Sequence, residues 1–246
     1  MDTATTTRII MAVLTNTDNS EPTMTNTITE QITAAGRTIE HDSFAIIDAE
    51  AGPHPYSIEQ WPLVRRMIHA SADFEMNGLT AFHPDAMQAG LSAVLKGGTP
   101  IVADVEMICV GLSKPRLAHF GLTTHQHISD PDVIAAAQAE NSTRAVQAMR
   151  KAQRLGTLDG AIVGIGNAPT ALIELVRLIR EEGVRPALVV AMPVGFVSAA
   201  ESKDLMMSVD GVPWVAIRGR KGGSTLVVAA IHAILSLAEA EQKKAA

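Results

Sequence analysis

The chain has 246 residues, long for one average domain and cramped for two, and an α/β sheet of that length commonly folds as one unit. Its net charge of −6 is unevenly placed, with nine acids against two bases in residues 1–60, and no Lys/Arg stripe offers the clustered phosphate contacts that nucleic acid needs. Aromatic residues at 3% exclude a base-stacking platform and leave the core to Ala, Val, Ile, Leu and Met, while a single cysteine, Cys109, excludes a disulfide framework and a cysteine-rich zinc site.

Residues 1–35 carry eleven threonines by Thr33 and no sustained periodicity, which reads as a disordered leader ahead of an α/β domain over 36–246. The apolar stretch 9–14 after Arg8 is too short for a signal peptide and has no convincing cleavage site after it. Ser57 and Gln60 form a capping-box pattern, and Leu63, Met67, Ala70 and Phe74 recur on one face, so a helix is expected over 57–76. Pro84 opens a second helix that runs to Lys96 and stops at Gly97-Gly98.

Short, unalternating, β-branched runs follow at 101–105, 161–165, 187–191 and 212–217, with 79–82 a candidate fifth strand. Helical patterns fall within 131–155, 169–182, 198–207 and 224–237. Continuous apolar strands alternating with helices imply a parallel sheet covered on both sides. The expected fold is therefore a single α/β domain, a doubly wound, mostly parallel sheet with helices on both faces. No unbroken apolar run reaches the roughly 18 residues of a membrane span.

In such a sheet, ligands bind outside the carboxyl ends of the strands. Three successive strand ends carry glycine turns here: one with Gly166 and Asn167, one with Gly195, and one with Arg220, Gly222, Gly223 and Ser224. Glycines permit close backbone approach, Ser224 is suited to cap a helix, and a helix N-terminus favours an anion. A dinucleotide is the rival ligand, because Gly164-x-Gly166 follows a strand. Pro169 replaces the third glycine of that fingerprint, and Glu181 and Glu182 fall at a helix end instead of a strand end.

His69 has Arg65 and Arg66 four and three residues before it and Asp73 four after, placing all four on one polar helical stripe. Two readings follow: a solvated face, or a general acid whose neighbouring guanidinium groups draw in a carboxylate substrate. His119, His125 and His127, with Asp104 and Glu106, raise a metal site, but the Glu-flanked histidine pair of a zinc hydrolase is missing and loop histidines are the simpler reading. Met67, Met76, Met107, Met149, Met192, Met206 and Met207 read as core filler.

Taken together, the blocks SFAIIDAE (43–50), RMIHA (66–70), DVEM (104–107), NSTR (141–144), GNAPTAL (166–172), MPVGFV (192–197), ESK (201–203) and GRKGGS (219–224) resemble the precorrin-8X methylmutases of cobalamin biosynthesis. The resemblance implies an isomerase that moves a methyl group from C11 to C12 of precorrin-8X or cobalt-precorrin-8, giving hydrogenobyrinic acid or its cobalt form, with no cofactor and no protein-held metal. It carries the catalytic histidine onto His69 and substrate contacts onto Ser43, Arg66 and Arg144. Gly166, Asn167, Gly195, Arg220, Gly222, Gly223 and Ser224 would then meet the carboxylate rim of the macrocycle. It further implies a homodimer, while the single cysteine fits a reducing cytoplasm and the charge pattern and short apolar runs point to no nucleic-acid or membrane partner. A corrinoid carrier without catalysis is the alternative.

Overall fold

A computed structural model describes residues 33–245. The leader expected over 1–35 lies outside the described residues up to 32. The first helix, α1 (Ala34–Glu50), is N-capped by Thr33, whose hydroxyl accepts from the Gly36 N–H. It buries only Ile47 and leaves Ile39 and Ile46 half exposed. Such a helix shows no apolar stripe, which is why the sequence pattern did not announce it.

The capping box opens the next helix. The Ser57 N–H donates to Gln60 Oε1 and the Gln60 N–H to Ser57 Oγ, and α2 (Trp61–Ser71) follows. It ends where Ala72 takes a left-handed conformation, φ 52°. The helix expected over 57–76 is therefore shorter, and Asp73 lies past its end. Trp61 stacks on His54 with ring centroids 4.0 Å apart and donates from Nε1 to Asp48 on α1. Arg65 reaches the other oxygen of Asp48, so one carboxylate on α1 docks two side chains of α2.

The rest of the chain runs β1 (Thr80–Phe82), α3 (Ala86–Lys96), β2 (Pro100–Ala103), α4 (Glu106–Gly111), α5 (Lys114–His119), β3 (Thr123–His125), α6 (Pro131–Ala139), α7 (Arg144–Arg154), β4 (Ile162–Ile165), α8 (Pro169–Glu181), β5 (Leu188–Ala191), α9 (Ala199–Met207), β6 (Trp214–Ile217) and α10 (Ser224–Ala245). The sheet order is β1-β6-β5-β4-β2-β3, parallel throughout except for β1, which pairs antiparallel with β6. Alternate strand residues enter two cores. Ile101, Ile162, Leu188, Val190 and Val215 meet α2, α3, α4 and α10, while Val102, Val163, Val189 and Ala216 meet α7, α8 and α9. This is the doubly wound, mostly parallel sheet the apolar runs implied.

From β2 the chain steps outward to β3, then returns across β2 to β4. The strand order thus reverses between β2 and β4, and the crevice outside their carboxyl ends is the topological switch point. The polar edge strand β3, in a segment that reads as turn-like from sequence, was not expected. Five of the methionines are buried as expected, Met67, Met76, Met149, Met192 and Met206, but Met107 is 63% exposed on α4. Residues 224–244 of α10 are long and apolar enough to cross a membrane by length and composition, yet most of their apolar stretch is buried inside the protein. That is the position of a core helix.

Candidate functional site

At the carboxyl edge the loops after β4, β5 and β6 are stitched together by their backbones. The Met192 N–H donates to Ile165 O at 2.8 Å, the Gly223 N–H to Met192 O at 2.9 Å, and the Gly195 N–H to Arg220 O at 3.2 Å. Glycine is required where these loops touch. A Cβ at position 222 would lie 2.2 Å from Met192 O, and one at 166 would lie 2.6 Å from Ser224 Cα. These two glycines serve approach of loop to loop. Ser224 is the first residue inside α10, and the first helical carbonyl belongs to Gly223, which accepts from the Val227 N–H.

Side chains complete the stitching. Lys203 on α9 is fully buried and its Nζ donates to Lys221 O at 2.7 Å; burial lowers its pKa to about 8. Lys221 in turn pairs with Asp73 and Glu75 just beyond α2, and its hydrogen bond holds the Asp73 carboxyl below the usual range. The loop before α10 is thereby clasped to the end of the helix that carries His69.

At the switch point, Asp104 follows β2 directly and is fully buried. Its Oδ1 accepts from the Gly166 N–H at 3.1 Å, and its Oδ2 from the N–H groups of Asn167 and Ala168 at 2.8 and 2.7 Å. Burial raises its pKa, and the three donors oppose that rise. The N–H groups of Gly166 and Asn167, candidates for substrate contact from sequence, are thus occupied inside the protein.

His69 lies exposed near the end of α2, at a cavity of about 220 Å³ lined by Glu40, Arg66, Gly111, Thr225, Val228 and His232. Phe44 of α1 packs edge-on against its ring, 5.2 Å between centroids. Arg66 does not share an open stripe with His69. It is only 8% exposed, its two Nη atoms lie 2.9 and 3.1 Å from Glu40 Oε1, and burial lowers its pKa against the pull of Glu40. Helix α1 folds over it, which the sequence pattern of α2 alone could not show.

A second hollow of about 420 Å³ shares Glu40 and Arg66 with the first and extends along α10 past Phe44, Arg65, Arg116 and Glu239. His232, which sequence reasoning passed over, closes the His69 cavity from α10. It is buried, its Nε2 accepts from the Ser113 N–H at 3.1 Å, and burial lowers its pKa to about 4. It is therefore a neutral imidazole that carries its proton on Nδ1. Its spacing from Thr225 and Val228, on one face of a helix, was the available signal.

The other sequence candidates are distributed around this centre. Ser43 neighbours Phe44 on α1, and its hydroxyl donates to Ile39 O at 2.8 Å. Arg144 opens α7 and lines a separate depression with Ile134, Asn141 and Ser142, sharing no residue with the His69 cavity. Arg220 is exposed, its guanidinium 5.5 Å from the centroid of the Phe196 ring. His119 contacts Gln242, His125 contacts Thr123, and His127 contacts Asp130. Among the described residues no group of three or more His, Cys, Asp or Glu gathers as metal ligands would.

A doubly wound sheet with an interlocked rim at its carboxyl edge and a histidine over a charged cavity defines an α/β protein built to hold and process a small molecule. The family model of precorrin-8X methylmutase matches residues 38–237, and the chain belongs to that family. A cobalt-precorrin-8 methylmutase of Leptospira interrogans is 51% identical over 212 residues, 84% of this chain and 96% of the relative. A precorrin-8X methylmutase of Sinorhizobium is 40% identical over 201 residues, 81% of this chain and 93% of the relative. The crystal structure of precorrin-8X methylmutase from Thermus thermophilus, 51% identical, matches with a TM-score of 0.77 over 83% of this chain and 99% of that one. Methylmutases are isomerases, and this chain is an isomerase.

Proposed function

We propose that the protein moves a methyl group from C11 to C12 of precorrin-8X or of cobalt-precorrin-8, with His69 as the general acid. The observation that carries this reading is the placement of an exposed imidazole over a cavity that a buried Arg66–Glu40 pair and the start of α10 enclose. His69 delivers or shares a proton with a ring nitrogen near the migrating methyl. That withdraws electrons from the adjacent carbon, and the methyl moves with its bonding pair. Substrate and product are isomers, so the proton returns and nothing is consumed. Such a reaction asks the protein for orientation and one placed proton.

The two neighbouring hollows, which share Glu40 and Arg66, are read together as a trough for a flat macrocycle, with Phe44, Val228 and Leu237 offering apolar surface. Ser43, Arg66 and the strand-end turns carrying Gly166, Asn167, Gly195, Arg220, Gly222, Gly223 and Ser224 are assigned to the substrate and its rim carboxylates. The internal bonding of Gly166, Asn167 and Gly195 directs their contribution through other atoms. Arg144, on a depression of its own, is assigned to the same substrate only if a second protomer brings it near a trough. A homodimer accords with the exposed apolar side chains of Met107 and Val110 on α4 and of Phe196 and Val197 after β5, since exposed apolar surface marks association. A free, half-buried Cys109 accords with the cytoplasm.

Replacing His69 with Ala should abolish conversion while leaving corrinoid binding in place, followed by the absorption spectrum of added precorrin-8X. Undiminished turnover would sink the assignment. Binding of hydrogenobyrinic acid by the native protein, with no spectral change of added precorrin-8X, would instead identify a carrier. Parallel incubations with metal-free and cobalt-loaded substrate decide which form is used, since relatives are named for both.

A further inference from the structure

In a doubly wound sheet the crevice at the switch point, backed by a helix N-terminus, is where a ligand's phosphate or carboxylate ordinarily sits. Here the N–H groups of Gly166, Asn167 and Ala168 converge there, at the start of the 13-residue α8. They converge on a side chain of the protein's own. We propose that Asp104 is a positioning residue, a built-in anion that takes the place of a ligand at the switch point and holds the 166–168 turn, and with it the start of α10, in register with the His69 cavity.

Three observations combine. Asp104 has no exposed surface, and its two oxygens accept from three consecutive backbone donors. A fully buried carboxylate is costly unless such charge-assisted bonds surround it. The turn it shapes is wedged against the next loop but one, because Gly166 approaches the Ser224 backbone too closely for any Cβ. The residue after Ser224 is Thr225, which lines the cavity under His69. A displacement of the turn thus reaches the cavity through backbone contacts alone. The same arrangement explains why the Gly164-x-Gly166 pattern makes no dinucleotide site, as the cradle that would receive a pyrophosphate is already filled.

The test uses Asp104→Asn and Asp104→Ala in the full chain. The amide keeps the shape but sets an NH2 group against at least one of the three backbone donors. KM for the corrin precursor should rise about tenfold, the effect of losing one charge-assisted hydrogen bond, with kcat within about threefold because His69 stands on a different element. A loss confined to the amount of active protein would lower apparent kcat at constant KM and would overturn the proposal, as would unchanged kinetics. In Asp104→Ala the vacated cradle should take formate. Added formate should raise the melting temperature of this variant and restore its KM, while the native protein responds no more than to chloride at equal ionic strength. A melting temperature of Asp104→Ala indifferent to formate refutes the built-in anion. The kinetic readout rests on the methylmutase reading, whereas the formate-dependent melt does not, so the two can fail separately.

Discussion

Replacing Lys203 with Met should change how stability depends on pH more than it changes stability at neutrality. The amine is fully buried, and burial brings its pKa from an ordinary 10.5 to about 8. That difference corresponds to about 3 kcal/mol acting against the charged form in the folded state. Between pH 8 and 10.5 the unfolded chain binds this proton and the folded chain does not, so stability rises with pH across that window and is lost again as pH falls through 8. Met removes this charge cost but leaves Lys221 O without its donor, a loss of about 1–3 kcal/mol. The two terms nearly cancel at pH 7. Near pH 10, where the native amine is neutral and still bonded, the variant should be the less stable by about 1–3 kcal/mol. Urea unfolding of both proteins at pH 7, 8, 9 and 10 reads the difference, in which other titrating groups cancel. It should grow in favour of the native chain by up to about 1.4 kcal/mol per pH unit above 8. Parallel stability curves would show that the buried amine does not titrate as argued.

Arg116 is 1% exposed between α5 and α10, bonded to Glu239 Oε1 and Ser236 Oγ at 2.7 Å each. Arg116→Ala should cost about 3 kcal/mol because it strands the largely buried carboxylate of Glu239, whereas Arg116→Met with Glu239→Leu should recover most of that loss; equal melting temperatures for the single and double variants would count against charge burial as the cause. Gly222→Ala forces a methyl group onto Met192 O and should cost about 3 kcal/mol by prising two loops apart. A variant with the native unfolding midpoint would mean that the rim is less tightly interlocked than described.

The parallel strands were legible because each is an unbroken aliphatic run buried on both faces, as with Val189 and Val190 pointing into opposite cores. β3 was not, because an edge strand of Thr123, Thr124 and His125 has no such run. α1 escaped for the opposite reason to a core helix: only Ile47 is buried, so its contribution is made by polar contacts from Glu40 and Asp48 that periodicity does not reveal. The same blindness displaced Arg66, which from α2 alone belongs to an open stripe and in the protein lies beneath α1. Glycines at strand ends were legible, and the structure adds a reason that sequence alone does not show. At 166 and 222 the missing Cβ makes room for a neighbouring loop, a relation between segments that are distant in sequence. Asp104 illustrates the remaining gap. In sequence it stood only as a possible oxygen ligand beside histidines better read as loop residues, and only the strand order across the switch point brings it to the 166–168 turn.

The docking of Trp61 onto Asp48 and His54 has an optical consequence. The chain holds two tryptophans, and Trp214 is locked in β6, away from the trough. Trp61 precedes Pro62, which lines the trough with Phe44. Its emission therefore reports on the contact between α1 and α2 from one wall of the trough, while Trp214 serves as an internal reference. A coloured macrocycle settling there would quench the first more than the second, so occupancy can be followed by fluorescence without a label and without turnover.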